Sequence, residues 1–232
     1  MKKTARVWIG TLALAATLAS GAASAAEAQW QPVDKGEART DISTFERGVD
    51  GSDVKAFRGV TEVQAPIVSV MAVMADASAC EQWLYQCKAM ELRDNHRAYF
   101  RFKGIWPAKD RDALVQTKVT QDKSSKAVTL ASHAVEGEPE HEDVVRVAAL
   151  RDQFVLTPLD DGWTRIEFQT FIDPGGNVTG IANTISKNAP KETLQGLRKL
   201  ATAAPYKDAT LDDAMVRYDS VKEMDLPQSH QR

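Results

Sequence analysis

The sequence predicts an α+β fold in which one curved antiparallel β-sheet wraps around a long C-terminal α-helix. Two observations predict it. Segments that alternate apolar and polar residues, as strands do, follow one another over most of the chain and are separated by turn residues. After residue 176 the alternation stops and apolar residues continue at helical spacing. A sheet with one apolar face buries that face together with the apolar stripe of a helix when it curves around the helix.

The composition is that of an ordinary globular protein. The 232 residues are 43% hydrophobic and 26% charged, which excludes disorder, collagen and coiled coil for most of the chain. No repeat, low-complexity linker or charge block divides the chain, so one domain is predicted over residues 26–204. The formal net charge of −3 gives no support to nucleic-acid binding, which normally shows a basic surface.

The N-terminus has the pattern of a secretory signal peptide. Lys2, Lys3 and Arg6 precede an apolar run over residues 7–19, and the small residues Ala23-Ser24-Ala25 follow as a cleavage site. The run is shorter than the roughly 20 residues that a membrane-spanning helix needs, although an uncleaved anchor is the alternative. Cleavage removes three of the 29 basic residues and none of the 32 acidic ones, leaving 26 and 32 and a net charge of −6. The segment looks bacterial, so the periplasm is the predicted location.

The predicted strands are connected by segments rich in Gly, Pro and Asp, as antiparallel turns are. The cluster Asp50-Gly51-Ser52-Asp53 predicts a hairpin between the first two strands. The strands are predicted over residues 38–49, 54–63, 87–93, 96–104, 113–121, 127–135, 144–150, 153–158 and 164–172.

Helical spacing occurs in three places. Pro66 opens a short apolar helix over residues 67–74, because a proline in the first turn lacks only an N–H that would have no partner there. Pro190 lies inside the C-terminal helix and is expected to kink or split it. Residues 210–223 form a short amphipathic segment in which Thr210 and Asp213 can form a capping box. Residues 225–232 are expected to be disordered.

The two cysteines are predicted to form a disulfide. Cys80 and Cys87 would be about 10 Å apart along an unbroken helix, beyond the reach of a disulfide, so a bridge requires the helix to end between them. The alternation that begins at Cys87 indicates that it does. An even, closely spaced pair in an oxidising compartment is more often bridged than free. The alternatives are two free structural thiols and a redox or metal role. The absence of a C-x-x-C spacing argues against a redox or metal role.

Five groups of residues occur in a fixed order on the predicted elements. They are Val54-Lys55-Ala56-Phe57-Arg58-Gly59, Trp83, Trp106-Pro107 with Arg111-Asp112, Pro139-Glu140 with Val145-Arg146-Val147, and Asp173-Pro174-Gly175-Gly176 with Ala182-Asn183. In this order they resemble the steroidogenic-acute-regulatory-related lipid-transfer (START) family, over roughly residues 51–199. The corner that contains the cysteines looks like that of the secreted bacterial members.

The resemblance implies a helix-grip fold, with a U-shaped sheet around an apolar tunnel and the C-terminal helix as a lid. Members typically carry one lipid or other hydrophobic molecule without chemistry. Several predicted strands separate apolar from charged faces and place small residues on the apolar one, which would leave volume for a ligand. The alternative is that these faces simply pack on the helix. The candidate cavity residues are Ala98, Phe100, Phe102, Val115, Thr117, Arg146, Phe168, Thr170, Ile181 and Ile185.

Four polar residues bear on this expectation. Arg146 lies between valines, so it either points outward from an apolar face or enters the interior, where it would need a partner; the family's Val-Arg motif favours the interior. Arg111 and Asp112 are expected to fix a loop by ion pairing, with a direct ligand role as the alternative. Thr117 stands where steroidogenic members carry a second cavity arginine, which puts sterol selectivity in doubt.

Enzyme motifs are absent from the sequence: it has no G-x-S-x-G, H-E-x-x-H, P-loop or G-x-G-x-x-G. The acidic and histidine cluster at 133–143 could hold a cation by composition, but Gly137 and Pro139 argue against a shared helix face. We therefore expect no catalytic residue, metal or cofactor, and a monomeric periplasmic carrier whose partners are a hydrophobic small molecule or lipid and, transiently, a membrane. The alternatives are an interaction or stress protein with a filled core and a polyketide cyclase- or hydratase-like enzyme.

Overall fold

One ten-stranded sheet organises the protein. The computed structural model describes residues 29–104, 108–175, 178–215 and 217–231, without the side chains of residues 179, 180 and 215. The strands are β1 (Gln31–Asp34), β2 (Ser43–Val49), β3 (Ser52–Val63), β4 (Cys87–Leu92), β5 (Arg97–Phe102), β6 (Asp110–Gln121), β7 (Val128–Val135), β8 (Val144–Arg146), β9 (Ala149–Pro158) and β10 (Thr164–Asp173). The predicted signal peptide, Trp106-Pro107 and Gly176 lie outside the described residues.

The strand order is β1-β2-β3-β10-β9-β7-β6-β5-β4, and all these neighbours are antiparallel. The hairpin of β2 and β3 therefore pairs through β3 with the last strand, β10. Both ends of the domain thus meet in the middle of the sheet. β8 is the exception, because it pairs in parallel with the start of β6. The large curved sheet and the long helical region after it confirm the predicted α+β helix-grip fold.

The helices lie against the inner face of the sheet and along its open side. They are α1 (Ile67–Ala75), α2 (Cys80–Trp83), α3 (Thr179–Ser186), α4 (Ala189–Ala201) and α5 (Leu211–Met215). α4 packs against β3, where a Cβ on Gly59 would lie 2.7 Å from Leu194 and 2.8 Å from Pro190. Only a glycine at this position lets the helix approach the sheet so closely.

The C-terminal helix is split, as Pro190 predicts. α3 ends at Ser186 and α4 begins at Ala189, so the proline lies in the first turn of a new helix. Its missing N–H removes no intrahelical hydrogen bond there. The break allows α3 and α4 to take separate positions over the sheet, and this separation matters for the cavity below.

The disulfide prediction is also confirmed. Cys80 and Cys87 are bonded, with their Cα atoms 5.9 Å apart. The bridge is compatible with the local fold because α2 ends at Trp83, after which the chain turns into β4. Residues 84–86, between α2 and β4, form a short loop, here called the disulfide loop, that carries Tyr85 towards α3.

Two strand predictions are wrong. Residues 144–150 are not one strand, because the chain changes partner at residues 147–148: the Val147 N–H donates to Asp112 and the Ala148 N–H donates to Asp173. β9 then runs unbroken from Ala149 to Pro158. The strand predicted over residues 38–49 begins only at Ser43, since the Asp41 carboxylate holds the preceding residues in a turn. β1 was not predicted at all.

The C-terminal segment is docked rather than disordered. The Thr210 N–H donates to the Asp213 carboxylate at 2.7 Å, which is one half of the predicted capping box. Further on, His230 is fully buried. Its Nδ1 accepts from the Ile67 N–H at 3.2 Å and its Nε2 lies 2.9 Å from the Leu159 carbonyl oxygen. The expected disorder is wrong because His230 supplies the cap that α1, preceded by Pro66, lacks locally.

Candidate ligand cavity

Two neighbouring cavities lie between the inner face of the sheet and the helices. The first, here called the outer cavity, measures about 110 Å³ and is bounded by α3, the disulfide loop and the ends of β5, β6 and β10. The second, here called the inner cavity, measures about 40 Å³ and lies deeper, among Trp83, Phe100 and Phe154. Phe102 lines both cavities. The walls are mostly apolar, as those of small-molecule sites generally are.

Six of the predicted cavity residues line these spaces. Phe102, Thr170, Ile181 and Ile185 line the outer cavity, and Phe100, Phe102 and Val115 line the inner one. Strand alternation and the helix stripe were sufficient to identify them. Ile181 is 48% exposed, which places it at the outer rim of the outer cavity.

Four of the predicted residues do not line either cavity. Ala98 and Phe168 are buried in the core, with the Phe168 ring stacked 4.2 Å from that of Phe154. Thr117 is buried and its hydroxyl lies 2.9 Å from the Ser132 hydroxyl. Arg146, the fourth, lies on the opposite side of the sheet.

The interior position predicted for Arg146 is wrong. Its guanidinium forms a two-point ion pair with Asp112, at 2.8 and 2.9 Å, and Tyr99 donates to the same carboxylate. Tyr99 belongs to the charged outer face of β5, so this cluster faces away from the cavities. Burial favours the neutral form of Asp112, but the hydrogen bonds and charge of Arg146 outweigh it and hold the pKa of that carboxyl below its usual value. The pair joins β8 to β6.

Arg111, the neighbour of Asp112, is the arginine that borders the outer cavity. Its guanidinium donates to the backbone carbonyls of Pro174 and Lys109. The residue therefore ties the loop before β6 to the end of β10. The loop-fixing role expected from the sequence holds, although the partners of Arg111 are carbonyl oxygens and not a carboxylate.

Asp152 is a cavity residue that the sequence analysis missed. It lies on the inner face of β9 between Leu150 and Phe154 and lines the inner cavity. Burial raises the pKa of its carboxyl to about 7, against a hydrogen bond from Thr170. Within the described part of the chain its Oδ1 has no hydrogen-bond partner. An acid at an inward position of an apolar strand was the signal that could have identified it.

Arg217 is the second residue that was missed. It belongs to the segment after α5, is 4% exposed and lines the inner cavity beside Phe100 and Tyr218. Nothing in its local sequence distinguishes it from an exposed arginine of a short amphipathic segment. Only the folding of the C-terminal segment over α1 brings it inside.

α3 is held over the outer cavity by a small number of polar contacts. The Asn183 side chain accepts from the Lys55 N–H at 2.7 Å and donates to the Asp53 carbonyl at 2.9 Å. The Tyr85 hydroxyl donates to the Ile185 carbonyl at 3.2 Å. These contacts connect α3 to the start of β3 and to the disulfide loop. Ala182 adds an apolar contact, because it is buried with Val54, Ala56 and Phe171.

Metal binding at the acidic cluster finds no support in the geometry. Glu138 pairs with Arg93 at 2.7 Å and Asp143 pairs with Arg101, all on the outer face of the sheet. Among the described residues, no group of three His, Cys, Asp or Glu side chains is arranged to hold a metal ion. In the same residues no helix has the length and apolar character needed to cross a membrane.

Comparison with known proteins agrees with this geometry. The family model of the START domain matches residues 12–200. The chain belongs to the START family. Members of this family bind lipids or other hydrophobic ligands, so the cavities described above lie in a hydrophobic ligand-binding fold.

Individual proteins are similar to this chain in sequence or in fold. A STAR-related lipid transfer protein from Xanthomonas axonopodis is 26% identical, with a TM-score of 0.66 over 75% of this chain and 99% of that one. Human StAR-related lipid transfer protein 5 also gives a TM-score of 0.66, over 75% of this chain and 86% of its own, but at 14% identity it shows likeness in fold alone. An uncharacterized protein of Pseudomonas aeruginosa is 29% identical over 167 residues, which are 69% of this chain and 82% of its own length.

Proposed function

We propose that this protein is a monomeric periplasmic carrier that binds one hydrophobic molecule of the lipid class in its cavities and takes it up and releases it by movement of α3. The apolar outer cavity beneath α3 is the observation that carries the proposal. Transfer of apolar surface out of water contributes about 25 cal/mol per Å², so a single acyl chain supplies ample affinity. The predicted signal peptide and the disulfide support a periplasmic location.

The size of the cavities explains why α3 must move. About 110 and 40 Å³ are less than the roughly 300–1,000 Å³ of a typical ligand pocket. A lipid-sized ligand therefore has to displace part of the wall. α3 is the element proposed to move, because it covers the outer cavity, is separated from α4 at residues 187–188 and is held by few polar contacts. The exposed Ile181 at its rim gives an apolar ligand a first contact.

Uptake of an uncharged fluorescent apolar probe, N-phenyl-1-naphthylamine, tests binding in the cavity. Ile185→Trp fills the outer cavity and is expected to lower probe uptake at least tenfold. Thr184→Trp, at the exposed neighbouring position of the same helix, is the matched control and leaves uptake unchanged. Equal uptake by both variants would place the probe elsewhere. Failure of the unmodified protein to take up the probe would favour the filled-core interaction or stress protein.

Native mass spectrometry of the protein purified without detergent from its own periplasm tests carriage. A carrier shows one recurring added mass, and denaturing extraction then identifies the bound molecule. The measured mass of the protein itself is expected to be that of a chain beginning at residue 26.

One observation favours the enzyme alternative: Asp152, with a pKa near neutrality, is suited to proton transfer inside a cavity. A carrier returns the extracted molecule unchanged after prolonged incubation, whereas a cyclase or hydratase converts it.

A further inference from the structure

The C-terminal segment supplies part of the wall of the inner cavity, although it lies beyond the region that matches the START domain. Tyr218, Val221 and Leu226 of this segment are buried in the same core as α1 and α4. His230 fastens the end of the segment to the start of α1. These contacts, together with the buried Ala214 that precedes it, hold Arg217 inside the protein.

Arg217 is incompletely satisfied where it lies. Its Nη1 donates to the Met74 carbonyl at 3.1 Å and to the Met90 Sδ at 3.4 Å, and its Nη2 is 3.5 Å from the Thr117 hydroxyl. Its Nε is buried and has no hydrogen-bond partner within the described residues. No carboxylate of the described residues forms an ion pair with it. The rings of Phe100 and Tyr218, at 5.7 and 5.0 Å, offset part of the charge.

Asp152 does not supply the missing anion. It lines the same cavity but forms no ion pair with Arg217, and burial raises the pKa of its carboxyl to about 7. Burial therefore favours the neutral form of Asp152. A buried cation without a counter-charge is strongly unfavourable. An anionic ligand group in this cavity would therefore bind with a more favourable free energy than a neutral one.

We propose that Arg217 binds the carboxylate of a fatty-acid-type ligand whose chain extends from the inner cavity into the outer one. This inference rests on the proposed function and specifies the ligand's polar end. A guanidinium matches a carboxylate with parallel hydrogen bonds. A water-sized group needs about 10–15 Å³, so the inner cavity of about 40 Å³ admits three such atoms, as in a carboxylate, and excludes a phospholipid headgroup. Asp152 in its neutral form can donate to the same group.

Competition between two ligands of equal chain length tests the proposal. Dodecanoate and dodecan-1-ol are titrated at pH 6.5 against the full purified protein carrying N-phenyl-1-naphthylamine, which has no charge to interact with Arg217. The unmodified protein is expected to bind the acid at least tenfold more tightly than the alcohol. Arg217→Gln is expected to remove this preference by weakening the acid alone. Arg217→Lys retains the positive charge and is expected to keep most of the preference for the acid.

The control is Arg97→Gln, which removes an arginine from the outer face of β5 and leaves the preference unchanged. The comparison in the unmodified protein does not depend on any variant folding. If the probe and the alcohol bind but the acid binds no more tightly, Arg217 does not recognise a carboxylate, while the proposed function stands. Retention of the preference in Arg217→Gln overturns the inference in the same way. If neither the probe nor either ligand binds, the proposed function fails together with it.

Discussion

Replacement of Asp152 by Asn should stabilise the protein at pH 8 and have little effect at pH 4. The carboxyl has a pKa of 3.8 in an ordinary environment and about 7 in the folded protein, because burial opposes its ionisation. The folded state therefore binds the proton more tightly than the unfolded state, and stability is lost as pH rises from about 4 to about 7. At about 1.36 kcal/mol per pKa unit, the loss is about 4 kcal/mol when complete. An Asn at this position is neutral at every pH and does not incur it.

Thermal unfolding of the ligand-free protein and of Asp152→Asn across this pH range measures the effect. A change of 1 kcal/mol moves the Tm of a domain of this size by roughly 2–4 °C, so a Tm difference of about 8–16 °C is expected at pH 8. Asp161→Asn, in the exposed turn before β10, is the control and should follow the unmodified protein. A Tm difference that stays constant from pH 4 to pH 8 would refute the reasoning, since the gain would not come from ionisation of Asp152.

Three further predictions concern the elements around the cavities. Replacing both Cys80 and Cys87 by Ser should lower the free energy of unfolding by about 2–3 kcal/mol, the entropy of a short closed loop, measured by urea denaturation against the oxidised protein. Asn183→Ala should speed probe release roughly 5- to 150-fold in stopped-flow measurements, because it removes hydrogen bonds of about 1–3 kcal/mol that hold α3, whereas Thr184→Ala should not. His230→Ala should accelerate amide hydrogen exchange across the C-terminal segment by uncapping α1; unchanged exchange would mean that the segment is held without it.

The cavity wall shows which parts of the site were accessible from sequence patterns. Phe100, Phe102 and Thr170 were identified because strand alternation assigns a side chain to a face once neighbouring residues reveal which face is apolar. The interior position of Arg146 was predicted from the family's Val-Arg motif instead, and it is wrong; β8, which carries Arg146, is only three residues long, too short for alternation to establish a face. Asp152 was assigned to no face, because it fell between the strands predicted over residues 144–150 and 153–158, whereas β9 runs through it and places it inward, where burial raises its pKa.

Local patterns in the chain were enough to predict most strands, the amphipathic stripe of the C-terminal helix, its break at Pro190 and the disulfide, because each depends on residues close together in sequence. The order of the strands, the parallel pairing of β8 and the docking of the tail depend on contacts between distant residues. The same is true of the inner cavity, where Arg217 meets Thr117 and Phe100 from the far end of the chain. Tertiary folding alone decided that a cation lies there, because the amphipathic pattern of residues 210–223 does not indicate that Arg217 lies inside the protein.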